Sequence, residues 1–186
     1  MKTYDVAPIV VSDESENISD LLANRVQKTP NLPLFAIESS PGQWADVSAK
    51  AFEDQVISVA KGLIAAGIQP GQAVGIMSRT RYEWTVLDFA IWFAGAVSVP
   101  IYESSSAKQM EWILSDSDSV ALFLETEEHQ ERFESINAFL RLIVAHLECP
   151  DMVHLTWSRL VTPLLDASRT ISAKSRWMRS SFVSSG

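Results

Sequence analysis

The sequence predicts an α/β fold in which short strands alternate with helices as βαβ units around a parallel sheet. Three observations carry this. Short apolar runs recur at Ala73–Met77, Ala96–Ile101 and Val120–Leu124. Each is followed by a longer stretch of helical character, and Gly, Pro or Ser marks the joints between them. Right-handed crossovers then place the helices on the faces of the sheet.

The elements follow in order. Asn17 to Lys28 reads as a helix with Ile18, Leu21, Leu22 and Val26 on one face, closed by Thr29-Pro30. Leu34–Ile37 and Gln43–Val47, separated by Ser39-Ser40-Pro41-Gly42, read as a hairpin. Ser48 can cap a helix with the apolar stripe Phe52, Val56, Val59/Ala60, Leu63 and Ile64, which Gly67 stops in a left-handed turn. After the strand at Ala73–Met77, Thr80-Arg81-Tyr82-Glu83 has the capping-box form. The helix it opens runs to about Ala94 and is apolar on most sides (Trp84, Val86, Leu87, Phe89, Ile91, Trp92, Phe93), so it should be covered.

Ala96–Ile101 reads as a second buried strand, and Ser106-Ala107-Lys108-Gln109 as a capping box for a helix to about Ser115. Val120–Leu124 is a third strand, and Glu127 to Ile136 a further helix. The apolar stretch Phe139–Leu147 can form a short helix, and it is expected to be poorly packed or disordered.

The totals exclude several classes. The 186 residues are 47% hydrophobic and 20% charged, with a net charge of -8. No apolar run reaches the roughly 20 residues of a membrane-spanning helix. The net negative charge disfavours nucleic acid, whose phosphates call for clustered Lys and Arg. Met1–Asp20 has acids and one Lys but no apolar signal-peptide core, so a cytoplasmic location is expected. A lone Cys149 excludes an internal disulfide and fits a reducing compartment.

The chain is not uniform. Residues 1–136 carry 9 Lys+Arg against 20 Asp+Glu, whereas residues 137–186 carry 6 against 3. Six of the seven glycines lie before residue 96, and eight serines crowd the last 29 residues. Two segments are therefore expected: a well-organised 1–136 and an ill-defined tail, 137–186, of different character.

Parallel α/β sheets bind ligands outside the carboxyl ends of their strands. Those ends carry Ser78-Arg79-Thr80, Tyr102-Glu103-Ser104-Ser105-Ser106 and Glu125-Thr126, with no glycine-rich phosphate cradle. The serines can offer hydroxyls to an anion, although Ser106 reads first as a helix cap. Arg79 and Arg81 can hold a phosphate or carboxylate, or simply face water. Tyr102 can line a pocket or its rim. His146, Cys149 and His154 match no strong zinc spacing and lack a fourth ligand, so no metal is expected. The aromatics Trp84, Phe89, Trp92 and Phe93 read as core. No nucleophile–base system can be assembled, because His129 is the only histidine in the organised part.

A family pattern lies in the order of several blocks. Gly62-Leu63-Ile64-Ala65-Ala66-Gly67-Ile68, Gly71 and Val74-Gly75-Ile76-Met77-Ser78 resemble the opening of adenylate-forming, AMP-binding enzymes, with Gln72 where Asp is common. Then Arg81-Tyr82-Glu83-Trp84, Leu87-Asp88-Phe89-Ala90-Ile91, Gly95-Ala96-Val97, Val99-Pro100-Ile101-Tyr102, Ser104-Ser105-Ser106 and Leu114-Ser115-Asp116-Ser117 resemble long-chain fatty acyl-CoA synthetases of the actinobacterial type. The resemblance covers roughly residues 15–136. It implies the N-terminal subdomain of the adenylate-forming fold. It also implies a two-step reaction, in which a fatty acid and ATP with Mg2+ give an acyl-adenylate and the acyl group passes to coenzyme A.

The family's catalytic motifs are a Ser/Thr/Gly-rich phosphate loop, a Tyr-Gly-x-Thr-Glu segment, a ribose-binding Asp and a C-terminal Lys. None occurs in the 186 residues. The expectation is therefore a ligase fragment, inactive by itself, with no catalytic, cofactor-binding or metal-binding residue. The abrupt change near Ile136 suggests a tail read out of frame. The alternatives are a non-catalytic binding or interaction module derived from the fold, and peripheral membrane contact through the basic, apolar tail. Acyl chain-length preference and oligomeric state are not legible.

Overall fold

The computed structural model of the chain describes residues 16–136, Val6, and the backbone of Leu142–Ala145. Asn17 caps helix α1 (Ile18–Lys28): its side chain accepts the Asp20 N–H at 3.1 Å, and the Asp20 carboxylate accepts the Asn17 N–H at 3.0 Å. Only Leu22 of the predicted apolar face is buried; Ile18 and Leu21 are exposed, because α1 leans on its neighbours by one edge.

Strands β1 (Pro33–Ser40) and β2 (Gln43–Ser48) form an antiparallel hairpin that turns at Gly42, whose φ of 75° is a left-handed value that glycine adopts freely. The Ser48 hydroxyl then caps α2 (Ala49–Ala65) by accepting the Ala51 N–H at 3.2 Å. Phe52, Val56, Val59, Ala60 and Leu63 are buried along this helix, while Ile64, expected in the stripe, is 53% exposed.

Four parallel strands follow: β3 (Ala73–Met77), β4 (Val97–Ile101), β5 (Ala121–Leu124) and β6 (Leu142–Ala145), in the spatial order β4-β3-β5-β6. They are joined by α3 (Tyr82–Phe93), α4 (Ala107–Asp116) and α5 (Glu127–Glu134). The step from β3 to β4 runs one way across the sheet, and the steps from β4 to β5 and β5 to β6 run the other. Right-handed crossovers therefore put α3 on one face and α4 and α5 on the opposite face.

The packing agrees. Val86, Leu87, Ala90 and Ile91 of α3 share a core with Phe52, Val56, Val59 and Leu63 of α2 and with Val74 and Ile76 of β3. Met110, Leu114 and Phe133 share a second core with Met77, Leu122 and Leu124. Alternation along β3 thus feeds both faces. Gly75 lies on the second: a Cβ there would stand 2.8 Å from Leu122 Cδ1 and 3.3 Å from Leu114 Cδ2, so its missing side chain lets the α4 face close.

Three expectations are corrected. The segment at Ala96–Ile101 is a half-exposed edge strand among the described residues, not a buried one, because no strand pairs beyond it. Within Phe139–Leu147, Leu142–Ala145 is a strand in register with β5, not a helix. The open β5 edge offers backbone partners to a run whose Ile and Val favour extended structure. Finally, Thr80 does not cap α3. The N-cap is Arg81, with no side-chain cap bond, and Glu83 is drawn elsewhere. His146, Cys149 and His154 lie outside the described residues.

Candidate functional site

The chain order creates a switch point between β3 and β5. The loop leaving β3 turns to α3 on one face, and the loop leaving β5 turns to α5 on the other, which opens a crevice at the carboxyl ends of these strands. Glu125, the residue directly after β5, occupies it with a side chain only 1% exposed.

Glu125 gathers donors from the opposite loop. Its Oε2 accepts from the Arg79 backbone N–H at 2.8 Å and from Ser78 Oγ at 3.2 Å. Its Oε1 accepts from Arg79 Nη2 at 2.8 Å, Arg79 Nε at 3.1 Å and Arg81 Nη1 at 3.2 Å. Arg81 Nε in turn donates to Glu83 Oε2 at 2.6 Å, and the Glu83 side chain is also 1% exposed. Two buried carboxylates and two guanidiniums therefore alternate across the crevice, as the cost of burying charge requires. Burial alone would push the Glu125 carboxyl up, but the hydrogen bonds and charge of Arg79, joined by Arg81, lower it to about 2.

The third loop is tied in from α5. Arg132 Nη1 donates to the carbonyls of Glu103 at 2.8 Å and Ser105 at 2.6 Å, and its Nη2 pairs with Glu128 at 2.7 Å. All three strand ends are thus clamped by side chains of the chain itself.

The residues singled out from sequence now have places. Arg79 and Arg81 hold a carboxylate, as their chemistry allowed, but it is the chain's own Glu125. Ser106 is a cap: its Oγ accepts the Gln109 N–H at 3.3 Å, and Gln109 Oε1 accepts the Ser106 N–H at 2.8 Å. Tyr102 is 84% exposed. Trp84, Phe89 and Phe93 pack against the first core. His129 is buried in the first turn of α5, and its Nδ1 has no hydrogen-bond partner among the described residues.

Sequence reasoning placed Glu125 at a strand end and Glu83 in a capping-box spacing without their partners, and gave Asp88 no role. A signal existed for the first two: an acid directly after an apolar strand, and the alternation Arg79-x-Arg81-x-Glu83. Asp88 is buried on α3 beside Ser98 of β4, and neither Asp88 Oδ1 nor Ser98 Oγ has a hydrogen-bond partner among the described residues. Burial pushes the Asp88 carboxyl up, partly offset by the nearby Ser98 hydroxyl. Among the described residues, no three His, Cys, Asp or Glu side chains form a metal-holding group, and no helix is long and apolar enough to cross a membrane.

The chain is similar to known proteins in sequence and in fold. The family model for AMP-binding enzymes matches residues 22–162. The long-chain-fatty-acid–CoA ligase FadD15 of Mycobacterium bovis is 43% identical over 123 residues, covering 66% of this chain and 20% of that protein. Its counterpart from Mycobacterium tuberculosis is 42% identical over the same shares. The chain thus spans about a fifth of the length of these curated relatives. Among solved structures, the anthranilate CoA ligase AuaEII in complex with anthranoyl-AMP superposes with a TM-score of 0.64 at 21% identity, over 80% of this chain and 27% of that one. The N-terminal domain of FACL13 from Mycobacterium tuberculosis superposes with a TM-score of 0.57 at 26% identity, over 67% of this chain and 31% of that one. The architecture is that of the N-terminal part of adenylate-forming enzymes, as the sequence predicted.

Proposed function

Because the chain belongs to the AMP-binding enzyme family, we propose that it is the N-terminal lobe of a long-chain fatty acid–CoA ligase. The intact enzyme would join a fatty acid to ATP, with Mg2+, as an acyl-adenylate and pass the acyl group to coenzyme A. The observation that carries this reading is the 43% identity over 123 residues to a protein of that name.

The lobe by itself is a scaffold. Its switch-point crevice, where an α/β sheet would receive a ligand, is filled by Glu125 and two arginines. The 186 residues also contain no Ser/Thr/Gly-rich phosphate loop. Incubated with a long-chain fatty acid, ATP and Mg2+, the purified chain is expected to release no pyrophosphate above a protein-free blank. Release that needs both protein and fatty acid would sink the reading of an incompetent lobe.

For residues 137–186 we retain a change of reading frame as the proposal. The family match continues past residue 136 to residue 162, and β6 pairs with β5 inside that stretch. A Leu-Ile-Val-Ala run supports strand pairing by composition alone, whichever frame encodes it. One of the other two frames of the gene is expected to encode the phosphate loop downstream. If neither does, the tail is a divergent segment and the frameshift is wrong.

A further inference from the structure

Among the described residues β4 is one edge of the four-stranded sheet, and its backbone groups can be assigned to sides. Val97 N–H donates to the Gln72 carbonyl at 2.9 Å, so Val97, Val99 and Ile101 turn their amides toward β3. Ser98 and Pro100 therefore direct theirs outward, to the edge where a further strand would add. Proline has no N–H to give.

The ends of this edge are closed as well. The Ala96 N–H, on the same side by alternation, is engaged by the Ile91 carbonyl at 3.0 Å, and the Tyr102 carbonyl accepts the Ser105 N–H at 2.9 Å. Of the outward donors at 96, 98 and 100, only the Ser98 N–H is left for a partner among the described residues. An incoming strand needs a repeating ladder of donors and acceptors, and one donor does not make one.

We propose that Pro100 is an edge guard, which keeps β4 from pairing with β4 of a second copy of this chain. The exposed edge otherwise suits such pairing: Val97 is 50% exposed and Pro100 is exposed, with no charged side chain on the strand.

The test uses the full chain. In the wild type, amide exchange followed by NMR should show the Ser98 N–H exchanging at least roughly tenfold faster than those of Val97, Val99 and Ile101, at any protein concentration. In Pro100→Val the outward ladder is restored. Its sedimentation coefficient is expected to rise with concentration toward that of a dimer, with the Ser98 N–H becoming protected. The double variant Ser98→Pro/Pro100→Val moves the gap by two residues on the same side and is expected to sediment like the wild type. A Ser98 N–H protected in the wild type, a Pro100→Val chain that sediments as the wild type does, or a double variant that still dimerises would each overturn the proposal. If Pro100→Val fails to fold, the wild-type exchange rates decide alone.

Discussion

Replacing Glu125 by Gln is expected to lower the unfolding free energy at pH 7 by about 3 kcal/mol, the lower end of the cost of breaking a buried ion pair. The lower end applies because Arg79 is 65% exposed and keeps water and Glu103, 3.9 Å away, when Glu125 is replaced, while Arg81, 25% exposed, keeps Glu83. The substitution also sets an amide where guanidinium and backbone donors converge, and only one oxygen remains to accept them. Urea denaturation reads the cost directly.

The acid limb should change with it. The Glu125 carboxyl is lowered from its ordinary 4.5 to about 2 in the folded chain. Its contribution is therefore present above pH 4.5 and is lost as pH falls from about 4.5 to about 2. In Glu125→Gln that loss is absent, so the wild type should approach the variant as the pH drops. Asp88, whose carboxyl is raised by burial, acts in the opposite sense, but it is common to both chains and cancels in the difference. Equal stabilities at pH 7, within about 0.5 kcal/mol, would show that the crevice network contributes nothing net.

What the sequence made legible was local. Asn17, Ser48 and Ser106 cap helices because a side chain reaches an amide three residues on, and nothing distant competes. Gly67 ends α2 with a φ of 94° for a reason equally contained in the turn. The failures were decided at long range. Thr80 and Glu83 had the spacing of a capping box, but Glu83 pairs with Arg81, which also reaches Glu125 across the crevice. Whether Ala96–Ile101 is central or an edge depends on the strand order, which no window of sequence contains. Leu142–Ala145 is extended because β5 lies beside it, and an apolar run read alone does not distinguish helix from strand. The candidate site was half legible for the same reason. Arg79 and Arg81 stood out at a strand end, but their partner lay more than forty residues downstream, separation 46 and 44.

The largest single loss should come from Phe52→Ala. Phe52 is fully buried, and its ring lies 4.9 Å from Phe35 of β1, 6.1 Å from Tyr82 and 5.3 Å from Phe89, centroid to centroid. It therefore joins three elements: the hairpin, α2 and α3. Truncating a buried Phe costs about 3–5 kcal/mol, a large share of the roughly 5–15 kcal/mol that holds a domain together. The loss should also be uneven. A two-stranded hairpin is marginal unless it packs on something, and Phe35, Ile37 and Val47 make this one's attachment to the first core. The four-stranded sheet keeps its second core, built from Met77, Met110, Leu114, Leu122 and Leu124 on the far face. The amides that bond β1 to β2 should thus lose exchange protection before those of Ile76 and Phe123. Phe52→Leu, which keeps most of the volume, should cost less than half as much and retain that protection. If Phe52→Ala costs under about 1 kcal/mol, or if sheet amides open first, the hairpin is not held through this ring.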